Sequence, residues 1–252
     1  MMTFFYICLA LLGLVLGSFY NVVGLRLPKG ESIISPPSHC PSCENRLRPI
    51  ELIPVFSYII QRGRCKHCRT KISPRYAFFE LLTAFLFVLS FYYIGFELEL
   101  IIALLFMSLC IIITISDIHY QIISNKVLIF FAVVIGVLRL IIPLEPWYDA
   151  YVGAAFGFGL LLLIAILSKG GMGGGDVKLF GVIGLALGFQ GTLLTFVLAS
   201  ILGAVIGLFL MIIKKVKRDT PIAFGPFIAT AAVIAYFYGD KIISWYGQSV
   251  LF

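Results

Sequence analysis

Hydrophobic residues make up 61% of the 252-residue chain and charged residues 12%, against about 25% charged in soluble domains. That composition excludes a water-soluble globule. The net charge of +7 is accounted for by basic loops facing anionic inner-leaflet lipids; no nucleic-acid-binding motif accompanies it, and no nucleic-acid partner is expected.

The first apolar block, Phe4–Val23, is long enough to span a bilayer. It differs from a secretory signal because no Lys or Arg precedes it, whereas Arg26 and Lys29 follow it. It reads as an uncleaved anchor with its N-terminus outside. Residues 24–76 then form a polar, basic insert holding seven of the eleven prolines, four of the six cysteines and ten of the nineteen Lys and Arg. An insert of that size buries little core and needs a staple. Cys40-Pro41-Ser42-Cys43 and Cys65-Lys66-His67-Cys68 supply two CxxC knuckles, the spacing of a four-thiolate zinc site. Disulfides are the alternative, with three connectivities, and a reducing cytoplasm disfavours them.

From residue 77 to 252 the chain reads as a membrane helix bundle. Further spans fall at Ala77–Phe96, Leu100–Ser116, Val127–Leu144, Ala150–Ser168, Val177–Gln190, Thr192–Ile213 and Ile222–Tyr238, with a fold at Gly188–Gly191. The fold class is thus an all-α polytopic membrane protein of about eight transmembrane helices. Three parts are expected: the first helix (1–23), the cytoplasmic insert (24–76) and the bundle (77–252). With the insert inside, Lys126, Lys169, Lys178 and the cluster Lys214-Lys215-Val216-Lys217-Arg218 also fall inside. Arg139 and Lys241 fall outside, among Glu97, Glu99, Glu145 and Asp149.

Ionisable groups at membrane depth are costly and point to function. Asp117 ends an inward-running span and Asp176 opens an outward-running one, so both lie near the cytoplasmic rim on different helices. A water held between two such carboxyls meets one base and one acid. Helix capping, pairing with Lys126 or Lys178, and a transport site are the other readings of position alone. Gly170-Gly171-Met172-Gly173-Gly174-Gly175 before Asp176 lacks the Gly-Lys-Ser/Thr ending of a phosphate loop. Its glycines offer φ > 0 and room for an unwound peptide to bind as a strand. Gly173, Gly175, Lys178 and Glu80 are the candidate substrate contacts. Glu80 either meets a substrate amine or cofactor, or pairs with Arg75.

The combination of Gly17-Ser18-Phe19-Tyr20-Asn21-Val22-Val23, Arg26-Leu27-Pro28, the CxxC pairs, Arg75-Tyr76, Glu80-Leu81-Leu82-Thr83-Ala84, Asp117 ahead of Ile123 and Asn125, and Gly173-Gly174-Gly175-Asp176 resembles the bacterial type IV prepilin peptidases. The short length resembles the competence-associated members from Gram-positive bacteria. The resemblance implies a multi-pass plasma-membrane aspartyl peptidase with Asp117 and Asp176 catalytic. Its substrates would be prepilins and pseudopilins, cleaved with the active site facing the cytoplasm. It also implies, in many members, N-methylation from S-adenosylmethionine associated with the cysteine insert. Peptidase activity without methylation is the alternative. The family's Ile-Pro-Asn or Ile-Pro-Asp reads Ile123-Ser124-Asn125 here, which predicts a looser loop.

Overall fold

A computed structural model describes residues 2–168, 171–213 and 222–250. Lys169, Gly170 and the Lys214-Lys215-Val216-Lys217-Arg218 cluster lie outside the described residues. Eight α-helices follow in order: α1 (Met2–Arg26), the one-turn α2 (Phe56–Ile60), α3 (Arg75–Ile94), α4 (Glu99–Tyr120), α5 (Asn125–Ile141), α6 (Asp149–Leu167), α7 (Gly174–Ile212) and α8 (Gly225–Val250). No strand occurs among the described residues; two isolated bridges, His39–Arg46 and Arg64–Lys71, close the cysteine knuckles.

Six helices, α1, α3, α4, α6, α7 and α8, are long and apolar enough to cross a membrane. The other expected spans correspond to α5 and to the two halves of α7. The span expected at Val127–Leu144 is α5, whose 17 residues make about 25 Å of helix, at the short end of what crosses a hydrocarbon core. The spans expected at Val177–Gln190 and Thr192–Ile213 are the two halves of α7, which a non-helical Gly188 (φ 71°, ψ −172°) separates within the expected fold at Gly188–Gly191.

The chain forms two compact units, residues 1–115 and 116–252. In the first, α1 and α3 touch backbone to backbone. A Cβ at Gly13 would lie 2.5 Å from Ala84 Cα, and one at Gly17 would lie 2.8 Å from Glu80 Cα. Small residues four apart allow that approach where lipid offers helices no hydrophobic drive to associate. Tyr20 and Ser108 hydroxyls join at 2.7 Å beneath it.

In the second unit, α6 and α7 pack through Gly153 and Gly184, where a Cβ at Gly184 would stand 2.2 Å from the Gly153 carbonyl carbon. The break in α7 is fully serviced. Arg139, 1% exposed, donates to the carbonyls of Leu185 (3.3 Å) and Ala186 (2.6 Å), which the break releases from helical bonding. Asp149 Oδ2 accepts the Phe189 N–H at 3.2 Å. A Cβ at Gly188 would sit 1.9 Å from that same carboxylate oxygen, so glycine is required there by both dihedral and space.

Candidate active site

Asp117 lies in the last turn of α4 and is 6% exposed. Beyond it the chain reverses through Gln121 (φ 53°), and the Ser116 hydroxyl donates to the Ile122 carbonyl, tying the reversal to the helix. Asp117 Oδ2 accepts the N–H of Gly225 at 2.7 Å. Gly225 is the first residue of α8, so the carboxyl satisfies an open donor at a helix N-terminus, where the helix dipole favours negative charge. A Cβ on Gly225 would lie 2.9 Å from this oxygen. Sequence reasoning missed Gly225; its signal is Gly-Pro at a helix start, Gly225-Pro226.

Asp176 is the third residue of α7, whose N-cap is Gly173. The N-cap, being glycine, offers no side-chain cap, and Asp176 stands as the acid of the first turn, where the helix dipole favours negative charge. Among the described residues it has no ion pair: Lys178 Nζ donates instead to Asn125 Oδ1 at 2.9 Å. The interaction it does have is electrostatic, with Asp117. The two aspartates therefore lie within reach of each other's charge, on helices far apart in the chain.

Of the two uses expected of the glycines before Asp176, left-handed backbone and room, the structure shows the second. None of Gly171, Gly173, Gly174 and Gly175 has a positive φ. They supply room instead: a Cβ at Gly175 would meet Ile123 Cβ at 2.9 Å, and one at Gly173 would meet Asp176 Oδ2 at 3.1 Å, while Gly174 faces open space. Gly175 thus lets the loop after α4 approach α7. Ser124, the N-cap of α5, stands at φ −68°, the dihedral a proline would fix. The backbone already holds the φ that a proline would lock.

In the insert, Cys40, Cys43, Cys65 and Cys68 converge as free thiols, all four sulfurs within 4.8 Å of one another. Cys40 and Cys68 sulfurs are 3.7 Å apart, close to the roughly 3.8 Å edge of a tetrahedron with Zn–S bonds near 2.3 Å. Backbone N–H groups of Ser42 and Cys43 hold the Cys40 thiol below its usual range. Thr70 lowers Cys68 to about 6, through its side chain and then its backbone. The Asn45 N–H acts to lower Cys43, but desolvation and the other thiols outweigh it and push Cys43 up to about 12. Four crowded sulfurs resist ionising together without a cation.

Glu80 does not pair with Arg75. Buried in α3, its Oε2 accepts the Val55 N–H at 2.7 Å, with Ser18 alongside. It thereby holds Val55 at φ 61°, a costly conformation for a β-branched residue.

Two family models match: the bacterial peptidase A24 N-terminal domain over residues 11–94 and the type IV leader peptidase family over residues 104–208. A protein of Bacillus subtilis named prepilin leader peptidase/N-methyltransferase is 44% identical over 96% of this chain and 98% of its own length. Proteins of the same name from Pseudomonas aeruginosa (32%, covering 97% and 94%) and Legionella pneumophila (31%, covering 96% and 94%) are also similar. No solved structure matches.

Proposed function

The chain belongs to the type IV leader peptidase family, and from that membership we propose that it removes the leader of prepilins and pseudopilins and then methylates the new N-terminal amine. The observation carrying the peptidase half is the carboxyl pair: Asp117 bonded to the α8 N-terminus, Asp176 without such a bond and coupled to it by charge. Two like charges at such a site do not both ionise readily. Asp117, with a helix N-terminus behind its charge, is the base that takes a proton from water. The water oxygen bonds the scissile carbonyl carbon while Asp176 gives its proton to the carbonyl oxygen. Collapse returns that proton to Asp176 and breaks the C–N bond, and the leaving nitrogen takes the proton held by Asp117.

The substrate strand passes over Gly174, which faces open space, beside Gly173 and the Asp176 carboxyl. A groove of about 610 Å³ begins at Asn125 and Lys178 and runs between α5, α6 and α7; it suits the apolar segment following the leader. This site faces the cytoplasm of a plasma membrane, with the basic rim against anionic lipids.

Residues 24–76 serve methylation. Their four convergent thiols fit a structural zinc ion, which would be lost on acidification as the ligands protonate. S-adenosylmethionine supplies an activated methyl group. Mass spectrometry of the N-terminus of a co-expressed prepilin tests both halves. The expected product lacks the leader and carries one added methyl. A full-length prepilin would overturn the assignment, and a trimmed, unmethylated one would reduce it to a peptidase.

A further inference from the structure

Residues 50–60 are the apolar stretch of an otherwise polar, basic insert. They fold as a tight turn, Pro49–Leu52, followed by α2. In an element that faces water, apolar residues turn inward and polar ones outward. Here the order is reversed. Phe56, Ile59 and Ile60, at i, i+3 and i+4 on one face of α2, are exposed, whereas Ser57, Tyr58 and Gln61 line a cavity within the first unit. Ile50 and Ile53, in and just after the preceding turn, are also outward, and all five side chains are between 44% and 77% exposed. Single exposed apolar residues need no explanation, but five in one short segment mark an interaction surface.

What covers that surface follows from its depth. The insert leaves α1 at Arg26 and enters α3 at Arg75, and both helices are long and apolar enough to cross a membrane. They run antiparallel, with Gly17 against Glu80 and Gly13 against Ala84, so the two ends of the insert meet the same bilayer surface. The segment is tied down between those ends, because Val55, at the start of α2, donates its N–H to Glu80 Oε2 at 2.7 Å. Glu80 lies about 7.5 Å along α3 from Arg75, and interfacial helices bury their apolar faces about 5–10 Å into the headgroup and acyl boundary. At the level of Glu80, α3 itself exposes Phe78 and Leu81, as a spanning helix does toward lipid. Exposed arginines bracket the apolar patch, Arg48 before it and Arg62 after it, where they suit headgroup phosphates.

We propose that residues 50–60 are an interfacial anchor: Ile50, Ile53, Phe56, Ile59 and Ile60 dip into the bilayer that α1 and α3 cross, while Arg48 and Arg62 meet lipid phosphates. The occupant of this face is membrane lipid. Glu80 is then a positioning residue, holding Val55 at φ 61° so that α2 turns its apolar face to the acyl chains and its polar face to the cavity. The insert is thereby fixed on the bilayer at a third point between its two helical ends, rather than hinged above it.

The test uses the full-length protein in bilayers of phosphatidylethanolamine and phosphatidylglycerol. Ile59→Trp, with both native tryptophans removed by Trp147→Phe and Trp245→Phe, reports contact with lipids brominated along the acyl chain. Phe85→Trp in the same background, on the exposed side of α3, shows the response of a residue deeper in the membrane. Emission from Ile59→Trp is expected to fall at least about twofold, most with bromines close to the headgroup, and that from Phe85→Trp most with bromines deep in the chain. Emission from Ile59→Trp that no brominated lipid quenches overturns the proposal. So does shielding that appears only when a prepilin is added, which would make the face a protein-docking surface. Bilayers of phosphatidylcholine alone separate the two contributions: quenching that persists there supports apolar insertion, and quenching that disappears leaves surface charge alone and overturns it. The wild-type chain needs no substitution. A phospholipid with a photoreactive group near the head of its acyl chain is expected to label residues 50–60, and label confined to the spanning helices contradicts the anchor.

Discussion

The two ends of the first half of α7 treat buried polar groups in opposite ways. At Gly188 the carbonyls of Leu185 and Ala186 are taken up by Arg139, and the Phe189 N–H by Asp149. At the N-terminus, Asp176 has no ion pair among the described residues and meets the charge of Asp117. One aspartate completes the fold, and the other is left available for chemistry. Depth and residue type do not separate them; their partners do.

Substitutions can break or sharpen that contrast. The largest stability effect is expected from Arg139→Leu, which strands two buried carbonyls at about 1–3 kcal/mol each. Its thermal midpoint in detergent should fall by roughly 5 °C or more, with cleavage per folded molecule retained; an unchanged midpoint would mean the break needs no servicing. Gly225→Ala comes next. Its Cβ would crowd Asp117 Oδ2 and should slow leader cleavage about 10- to 100-fold through kcat, since a misplaced acid or base forfeits much of a 10²–10⁴-fold contribution. Cleavage at the wild-type rate would show that the α8 N–H does not position Asp117. The smallest effect belongs to Ser124→Pro. With φ already at −68°, the change should leave cleavage within about twofold and stabilise by about 0.4–1 kcal/mol through the unfolded chain. A measured destabilisation would show that the Ser124 N–H or the preceding residue opposes a proline.

Much of this was legible in the sequence. Hydropathy marks the long helices, and charge bias marks Asp117 and Asp176 as sharing one rim. The two CxxC pairs announce the thiol cluster whose sulfurs the structure brings together. What stayed hidden depends on packing between distant segments. Arg139 reads as a stray outward cation until the broken carbonyls of α7, 46 and 47 residues away, come to meet it. Gly225 looks like a helix start, and its N–H matters only because α4 delivers a carboxyl to it. Glu80 reads as a partner of Arg75 or of a ligand; Val55, 25 residues earlier, takes its Oε2, and Arg75 does not. The glycines before Asp176 read as room or as left-handed backbone; the room at Gly175 admits Ile123, a contact no local pattern announces.

The most direct test places the same substitution at both ends of the comparison. Asp176→Ala and Asp149→Ala should be purified in parallel and assayed for cleavage of one prepilin and for thermal midpoint. Asp176→Ala is expected to lose cleavage by at least about a thousandfold at an unchanged midpoint. Asp149→Ala should keep its cleavage per folded molecule while its midpoint falls by about 2–4 °C, the loss of one helix-start acceptor. Full cleavage by Asp176→Ala would contradict the account.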